Sequence, residues 1–138
     1  MTVTDVNVVK SAIFERPDDA NKGTLGSLLC VCGSYGMAGA AGMSAKGALR
    51  TGIGLAKSSA TLVGCGLGVC DDTLKIVFSL IENSTTPLVL DADALNCVAK
   101  QPEILLRKKA PIIITPHPGE MSRLTGLATP LVNAERER

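Results

Sequence analysis

Four short apolar runs, each ended by a glycine-rich or polar loop, constrain the fold of this chain more than any other feature. The runs cover residues 27–32, 60–63, 87–90 and 111–114, and the stretches between them predict helices over 38–50, 71–82, 94–100 and 102–109. Continuous apolar runs that alternate with helices are typical of buried parallel strands. The sequence therefore predicts an α/β fold, with a mostly parallel sheet and flanking helices.

Composition and charge narrow the class of protein further. The 138 residues are 46% hydrophobic and 20% charged, which is typical of a globular chain, and only 2% are aromatic, so we expect an aliphatic core. A net charge of +1 gives no reason to expect a nucleic acid or an anionic membrane as partner. No apolar run approaches the length of a membrane-spanning helix.

The N-terminal stretch and the cysteines predict a cytoplasmic location. Residues 1–22 are interpreted as a lead-in helix followed by a loop. They carry an acid at Asp5 and no apolar region, so no signal peptide is expected. Five cysteines, an odd number, favour reduced thiols. Cys30 and Cys32 would face the same side of a strand, and we interpret them as small core thiols. With one histidine in the chain, no metal site is predicted.

Two glycine-rich loops should lie at the same edge of the sheet, because the carboxyl ends of parallel strands meet there. They cover residues 33–42 and 64–68. Glycines let the backbone approach a ligand, and a following helix offers free amides to phosphate. The alternative is a pair of tight strand-to-helix turns. Neither the dinucleotide nor the P-loop glycine spacing occurs in the chain.

Asp91 and Asp93 follow the third run and add carboxylates to this edge. Carboxylates there can bind a metal, accept hydrogen bonds from ribose hydroxyls or cap a helix. Asp93 precedes a predicted helix at Ala94, so we interpret it as the N-cap. Asp91, directly at the strand end, is the better candidate for a functional residue.

The only histidine, His117, lies in the sequence Thr-Pro-His-Pro-Gly-Glu after the fourth run. Pro118 suits the first position of a helix and Glu120 its first turn, which places His117 in the N-cap region. The histidine could act only as a cap. Because its loop should lie beside three other candidate loops, we favour contact with a ligand.

Four ordered segments resemble the ADP-dependent NAD(P)H-hydrate dehydratases, a repair-enzyme family with the ribokinase-like fold. They are KGTLGSLLCVCGSYGMAGAAGMSAKGALRTGIGLAK, VGCGLG, PLVLDADALN and IITPHPGEMSRLTG. The resemblance implies a three-layer, ribokinase-like (Rossmann-like) sheet, shortened into one partial domain over residues 1–138. Within it, 1–22 form the lead-in, 23–126 the matching core and 127–138 a tail.

The family removes water from hydrated NADH or NADPH (NADHX and NADPHX), so the resemblance implies this substrate, with ADP or ATP and Mg²⁺ as cofactors. Phosphoryl transfer would turn the added hydroxyl into a leaving group. The positions that match substrate-binding positions are Ala40, the loop glycines Gly64, Gly66 and Gly68, and His117. Glu120 and Arg123 lie in the same matching segment. The family also implies a homo-oligomer.

Two departures from the family pattern affect the expected activity. The first matching segment, which ends in GLAK, is joined almost directly to the strand before VGCGLG through Lys57, Ser58 and Ser59. In the family, at least another strand and helix normally lie between these two segments. The lysine-containing ADP-binding loop and the G-[TS]-G-D motif with the catalytic aspartate do not occur in the chain. We therefore expect impaired catalysis and an uncovered sheet edge or face. The alternatives are a non-catalytic nucleotide-binding module or partner subunit, and another ribokinase-like kinase of small molecules.

Overall fold

A single parallel sheet organises the chain. The computed structural model describes residues 18–20, 25–51 and 59–134, and the remaining residues lie outside the described part. The strands are β1 (Leu28–Val31), β2 (Ala60–Val63), β3 (Leu88–Leu90) and β4 (Ile112–Ile114). They are hydrogen-bonded in the order β1-β2-β3-β4, and every pair is parallel. The predicted α/β fold and all four predicted strands are confirmed.

The helices follow the strands in alternation. They are α1 (Ala38–Arg50), α2 (Asp71–Asn83), α3 (Asp93–Val98), a 3-10 helix (Pro102–Arg107), α4 (Pro118–Thr125) and α5 (Thr129–Ala134). The segment predicted over 102–109 is therefore not α-helical. It holds six residues and begins with a proline, which suits the short 3-10 form. Helix α5 lies in the predicted tail, while the predicted lead-in helix falls outside the described residues.

One face of the sheet carries the core. Val63 pairs in register with Leu90, and Leu90 with Ile114, so these side chains point to the same face. Helices α2 and α3 and the 3-10 helix pack on that face. The core is aliphatic, as expected: Val63, Val77, Ile81, Leu88, Leu90, Ala94, Leu95, Cys97, Val98 and Ile104. Each large aliphatic side chain buried in this way contributes about 1.5–3 kcal/mol.

The edges of the described sheet are poorly covered. Strands β1 and β4 each have one neighbour, and Leu29 and Ile113 expose 49% and 59% of their surface. Helix α1 contacts β1 but has no buried residue. The expectation of an uncovered edge or face is thus met in the described part of the chain. Within those same residues, no helix has the length and apolarity needed to cross a membrane.

Candidate functional site

The loops that follow the strands meet at one edge of the sheet, as the parallel topology requires. The amide of Gly33 donates to the carbonyl of Cys65 at 2.8 Å, which joins the two glycine-rich loops. The amide of Thr115, in the histidine loop, donates to the carbonyl of Leu90 at 3.2 Å. The juxtaposition of loops predicted from the sequence is therefore present.

The loop at 64–68 needs glycine for two separate reasons. Gly64, Gly66 and Gly68 have φ angles of +127°, +66° and +78°, which side-chain-bearing residues rarely adopt. In addition, a Cβ at Gly66 would lie 2.7 Å from the Cβ of Ala40. The loop therefore lies against the first turn of α1. This contact brings together Ala40 and the loop glycines, four of the predicted site residues.

Two amides of this loop are unused within the described residues. The amide of Gly64 donates to the Val31 carbonyl, and that of Leu67 to the Gly64 carbonyl, both at 3.0 Å. In the described part of the chain, the amides of Cys65 and Gly66 have no hydrogen-bond acceptor. Successive backbone amides in such a turn form a concave site suited to an anion.

Asp91 connects two of the loops. Its Oδ1 accepts a hydrogen bond from the hydroxyl of Thr115 at 2.8 Å, and its Oδ2 accepts one from the thiol of Cys65 at 3.4 Å. Asp91 thus bridges the second glycine loop and the histidine loop. Sequence reasoning did not single out Thr115, although it directly precedes the Pro-His-Pro stretch.

The prediction that Asp93 is an N-cap is wrong. Helix α3 begins at Asp93 itself, its N-cap is Ala92, and no side chain caps it. The chain turns at Ala92 with a φ angle of +49°, and this turn starts the helix one residue earlier than predicted. The Asp93 carboxylate instead accepts a hydrogen bond from the amide of Gly68 at 2.8 Å. It therefore holds the end of the glycine loop.

His117 is the N-cap of α4, as the sequence predicts. Its Nδ1 accepts a hydrogen bond from the amide of Gly119 at 3.0 Å. Its Nε2 lies 3.1 Å from Oε1 of Glu120, whose Oε2 accepts from the backbone amide of His117 at 2.9 Å. The Glu120 carboxylate is almost fully buried, whereas 61% of the His117 side chain is exposed. Nδ1 is thus engaged by the Gly119 amide and Nε2 lies beside the Glu120 carboxylate, while much of the ring stays exposed.

Arg123 extends from α4 towards α3. Its Nη1 donates to Oδ1 of Asn96 at 3.1 Å, and Nδ2 of Asn96 donates to Oδ1 of Asp93 at 3.4 Å. The guanidinium is thus connected through Asn96 to the carboxylate that holds the second glycine loop. Asn96 was quoted in the family-like segment but not recognised as part of the site.

The thiols near the site form no disulfide and differ in acidity. Cys30, Cys32 and Cys65 are free and partly buried. Burial, and then the hydrogen bond with Asp91, raise the pKa of Cys65 to about 11, against a lowering contribution from Ser44. Burial also raises the pKa of Cys30. At neutral pH Cys65 is therefore a neutral thiol that donates to the Asp91 carboxylate.

A cavity of about 370 Å³ lies beside Leu74 and Phe78, and another of about 350 Å³ lies beside Leu29 and Leu80, both away from the four loops. In the ranges that the structure describes, no group of three His, Cys, Asp or Glu side chains is placed to hold a metal ion. The case for a ligand site rests on the loop amides.

Solved structures define the class of protein to which this fold belongs. The chain superposes on the ADP/ATP-dependent NAD(P)H-hydrate dehydratase of Bacillus subtilis, which was co-crystallised with ATP and Mg²⁺, with a TM-score of 0.78 and 27% identity. The match covers 94% of this chain and 58% of that one. A ribokinase-like superfamily protein of Enterococcus faecalis V583 gives a TM-score of 0.75 at 21% identity over 90% and 57% of the two chains. The fold is ribokinase-like.

The sequence places the chain more narrowly within this class. The model of the family described as NAD(P)H-hydrate dehydratase matches residues 55–137, which is more than half of the chain. The chain belongs to the NAD(P)H-hydrate dehydratase family, as its sequence motifs predicted.

Two curated relatives support the family assignment. The bifunctional NAD(P)H-hydrate repair enzyme of Thermofilum pendens is 43% identical over 98 residues, or 70% of this chain and 19% of the relative. The ADP-dependent (S)-NAD(P)H-hydrate dehydratase of Neisseria meningitidis serogroup B is 34% identical over 156 residues, or 88% of this chain and 53% of the relative. The chain thus spans about half the length of the single-function dehydratase and less of the bifunctional enzyme.

The length of the second alignment bears on the expected internal omission. It runs over 156 residues, more than the 138 of the whole chain. The relative therefore carries residues inside the aligned region that this chain lacks. This agrees with the missing strand and helix expected near Lys57, Ser58 and Ser59, a junction that lies mostly outside the described residues.

Proposed function

We propose that this chain binds hydrated NADH or NADPH at the carboxyl edge of its sheet, as part of nicotinamide nucleotide repair, and that its dehydratase activity is impaired. The substrate is the one named for its curated relatives. The observation that carries the proposal is the contact between the glycine loop at 64–68 and the first turn of α1, with the Cys65 and Gly66 amides unused in the described residues. The diphosphate would bind these amides.

The other predicted residues take defined positions around such a ligand. Ala40, with Gly66 against it, forms the floor between loop and helix. The exposed ring of His117 is available for contact with a nicotinamide or adenine ring, while the Gly119 amide on Nδ1 fixes its orientation. Asp91, Glu120 and Arg123 would act mainly on the protein, because their polar groups engage other side chains or the backbone.

ADP or ATP with Mg²⁺ is part of the family's chemistry, where it supplies the phosphoryl group that activates the added hydroxyl. The residues of this chain do not fit that group. The lysine-containing loop and the G-[TS]-G-D aspartate are absent from the sequence, and the described residues offer no metal site. We therefore derive no step through the nucleotide. A non-catalytic binding module or partner subunit is the second candidate function.

A cytoplasmic location and a homo-oligomer complete the proposal. The exposed apolar side chains on the sheet, such as Leu29 and Ile113, support self-association. Light scattering during gel filtration tests this part. A mass larger than that of one chain is expected, and a monomer at all concentrations would contradict it.

Turnover and binding should be measured on the same sample. Purified protein is mixed with NADPH-hydrate, Mg²⁺ and ADP or ATP, and the return of the reduced-nicotinamide absorbance is followed. Calorimetry gives the affinity for the hydrate. We expect binding with little or no recovery. Nucleotide-dependent recovery would establish an active enzyme, and the absence of binding by a folded sample would overturn the proposal.

Two variants of His117 separate ligand contact from helix capping. His117→Asn keeps a good N-cap residue but removes the ring, whereas His117→Ala removes both. If the ring contacts the hydrate, both variants should bind it several-fold more weakly, and only His117→Ala should also lose about 1 kcal/mol of stability. Unchanged affinity in His117→Asn would leave the histidine with the capping role alone.

A further inference from the structure

The carboxylate of Asp93 provides the hydrogen bond that ends the second glycine loop. Its Oδ2 accepts from the Gly68 amide at 2.8 Å, across 25 residues of sequence. We propose that Asp93 is a positioning residue, which fixes the loop at 64–68 so that the Cys65 and Gly66 amides face the substrate. The inference rests on the proposed function of this loop in binding the hydrated dinucleotide.

The loop needs an external fixing point because its own sequence gives it little rigidity. Three of its five residues are glycines, which lose more backbone entropy on ordering than other residues. At its start the loop is tied to β1, where the Gly64 amide donates to Val31. At its end the Asp93 carboxylate is the partner of Gly68. Without that bond, Gly68 would lose its hydrogen-bond acceptor, and the end of the loop would be held by the packing of Leu67 against the core.

Asp93 is itself held in place. It is the first residue of α3, whose Ala94, Leu95, Cys97 and Val98 belong to the buried core. Asn96 donates to its other oxygen at 3.4 Å, and Arg123 donates to Asn96 at 3.1 Å. The carboxylate is therefore an extension of the best-packed part of the molecule. Through its hydrogen bond to Gly68, the Asp93 carboxylate connects the loop at 64–68 to the packed helix α3.

A ligand-binding role for the two aspartates fits the geometry less well. Both oxygens of Asp91 accept hydrogen bonds, from Thr115 and Cys65, and both oxygens of Asp93 accept from Gly68 and Asn96. All four oxygens thus have a donor within the protein. The pair acts on the loops around the site, and Asp93 acts on the one loop that carries the unused amides.

The test compares three variants of the full chain. Asp93→Ala removes the accepting oxygen. Asp93→Asn retains an oxygen for the Gly68 amide but not the charge. Asp72→Ala is the matched control, because it removes an exposed carboxylate whose partner, Lys75, lies on the same helix. Hydrogen exchange of the Gly68 amide is measured by NMR, with amides of β2 and β3 as internal reference, and calorimetry gives the affinity for NADPH-hydrate.

We expect Asp93→Ala to speed Gly68 exchange relative to the reference amides by about ten- to a hundred-fold, the range of a hydrogen bond to a charged group. The same variant should bind NADPH-hydrate about ten-fold more weakly. Asp93→Asn should restore most of both properties, and Asp72→Ala should change neither. A general loss of stability would instead speed exchange at the reference amides to the same extent, and that result would overturn the inference.

Other outcomes are equally decisive. Unchanged Gly68 exchange in Asp93→Ala, unchanged affinity despite faster exchange, or equal losses in the alanine and asparagine variants would each refute the positioning role. If the unaltered protein binds no hydrate, the proposed function fails, and with it the substrate part of the inference. Gly68 exchange would still decide whether Asp93 fixes the loop.

Discussion

Replacing Gly64 with alanine should destabilise the protein more than any other glycine-to-alanine change considered in this chain. A Cβ at Gly64 would overlap the Asp91 carbonyl oxygen and lie 2.8 Å from both the amide nitrogen and the Cβ of Ala94. The first contact is with backbone, which cannot rotate away like the end of a long side chain. Strand β2 and the turn after β3 would have to move apart to admit the Cβ.

The magnitude has two parts. A non-glycine residue at a φ angle of +127° costs about 1–3 kcal/mol, and forcing extra volume into a packed site costs about 1–3 kcal/mol more. We therefore expect Gly64→Ala to lower the free energy of unfolding by about 2–6 kcal/mol. Gly42→Ala is the matched control, because Gly42 lies within α1 with no atom within 4 Å of the new Cβ. There alanine should stabilise the helix by up to about 1 kcal/mol.

Urea denaturation of the three proteins, followed by circular dichroism, measures both effects as shifts of the midpoint. The expected result is a large downward shift for Gly64→Ala and a small upward shift for Gly42→Ala. A Gly64→Ala midpoint within the equivalent of about 1 kcal/mol of the unaltered protein would refute the close approach of Asp91 to the loop.

Three further predictions follow from single side chains. Ala92→Gly should raise the urea midpoint by the equivalent of about 1 kcal/mol. Glycine relieves the strain of a φ angle of +49°, and this gain exceeds the cost of the larger conformational entropy that glycine gives the unfolded chain. An unchanged or lower midpoint would argue against strain at this turn. Donation from the amide and hydroxyl of Thr73 lowers the pKa of the exposed Cys70, so iodoacetamide should modify this thiol first. Cys65, whose pKa is raised to about 11, should react late and faster above pH 9, and mass spectrometry would show the order of modification. Glu120→Ala should lower the free energy of unfolding by about 1–2 kcal/mol. The loss should be smaller for Glu120→Gln, because glutamine keeps an acceptor for the capping hydrogen bond. Equal melting temperatures of the two variants would contradict the capping role of Glu120.

The sequence predicted the strands well because each one is a continuous apolar run with a glycine or polar residue after it. Parallel pairing then follows from the intervening helices, and the shared edge of the four loops follows from parallel pairing. The N-caps of the helices were harder to predict than the strands. His117 was placed correctly, because Pro118 and Glu120 mark the start of a helix. Asp93 was placed wrongly, because the positive φ angle of Ala92 has no local signature in an alanine.

Long-range hydrogen bonds account for most of what the sequence did not reveal. Asp93 and Gly68 are 25 residues apart, and so are Thr115 and Leu90, so no spacing rule could pair them. The same holds for Asn96 and Arg123, 27 residues apart. Such contacts depend on how the strands lie beside one another. The sequence motifs predicted which residues lie at the carboxyl edge of the sheet. Only the three-dimensional arrangement shows which of them hold the loops and which remain open to a ligand.

The candidate site joins two parts of the molecule that are packed very differently. All members of the buried core cluster come from β2, β3, α2, α3 and the 3-10 helix, whereas β1 and α1 contribute none. The loop at 64–68 is fixed to the packed side through Asp93, and it contacts α1, whose three interior glycines lower its helix propensity, on the open side. A ligand bound over the loop and the first turn of α1 would therefore contact one ordered surface and one surface that it must itself stabilise. The ordered loop should favour binding of a dinucleotide, because little entropy is lost there. The entropy lost when α1 is held in place should reduce the affinity.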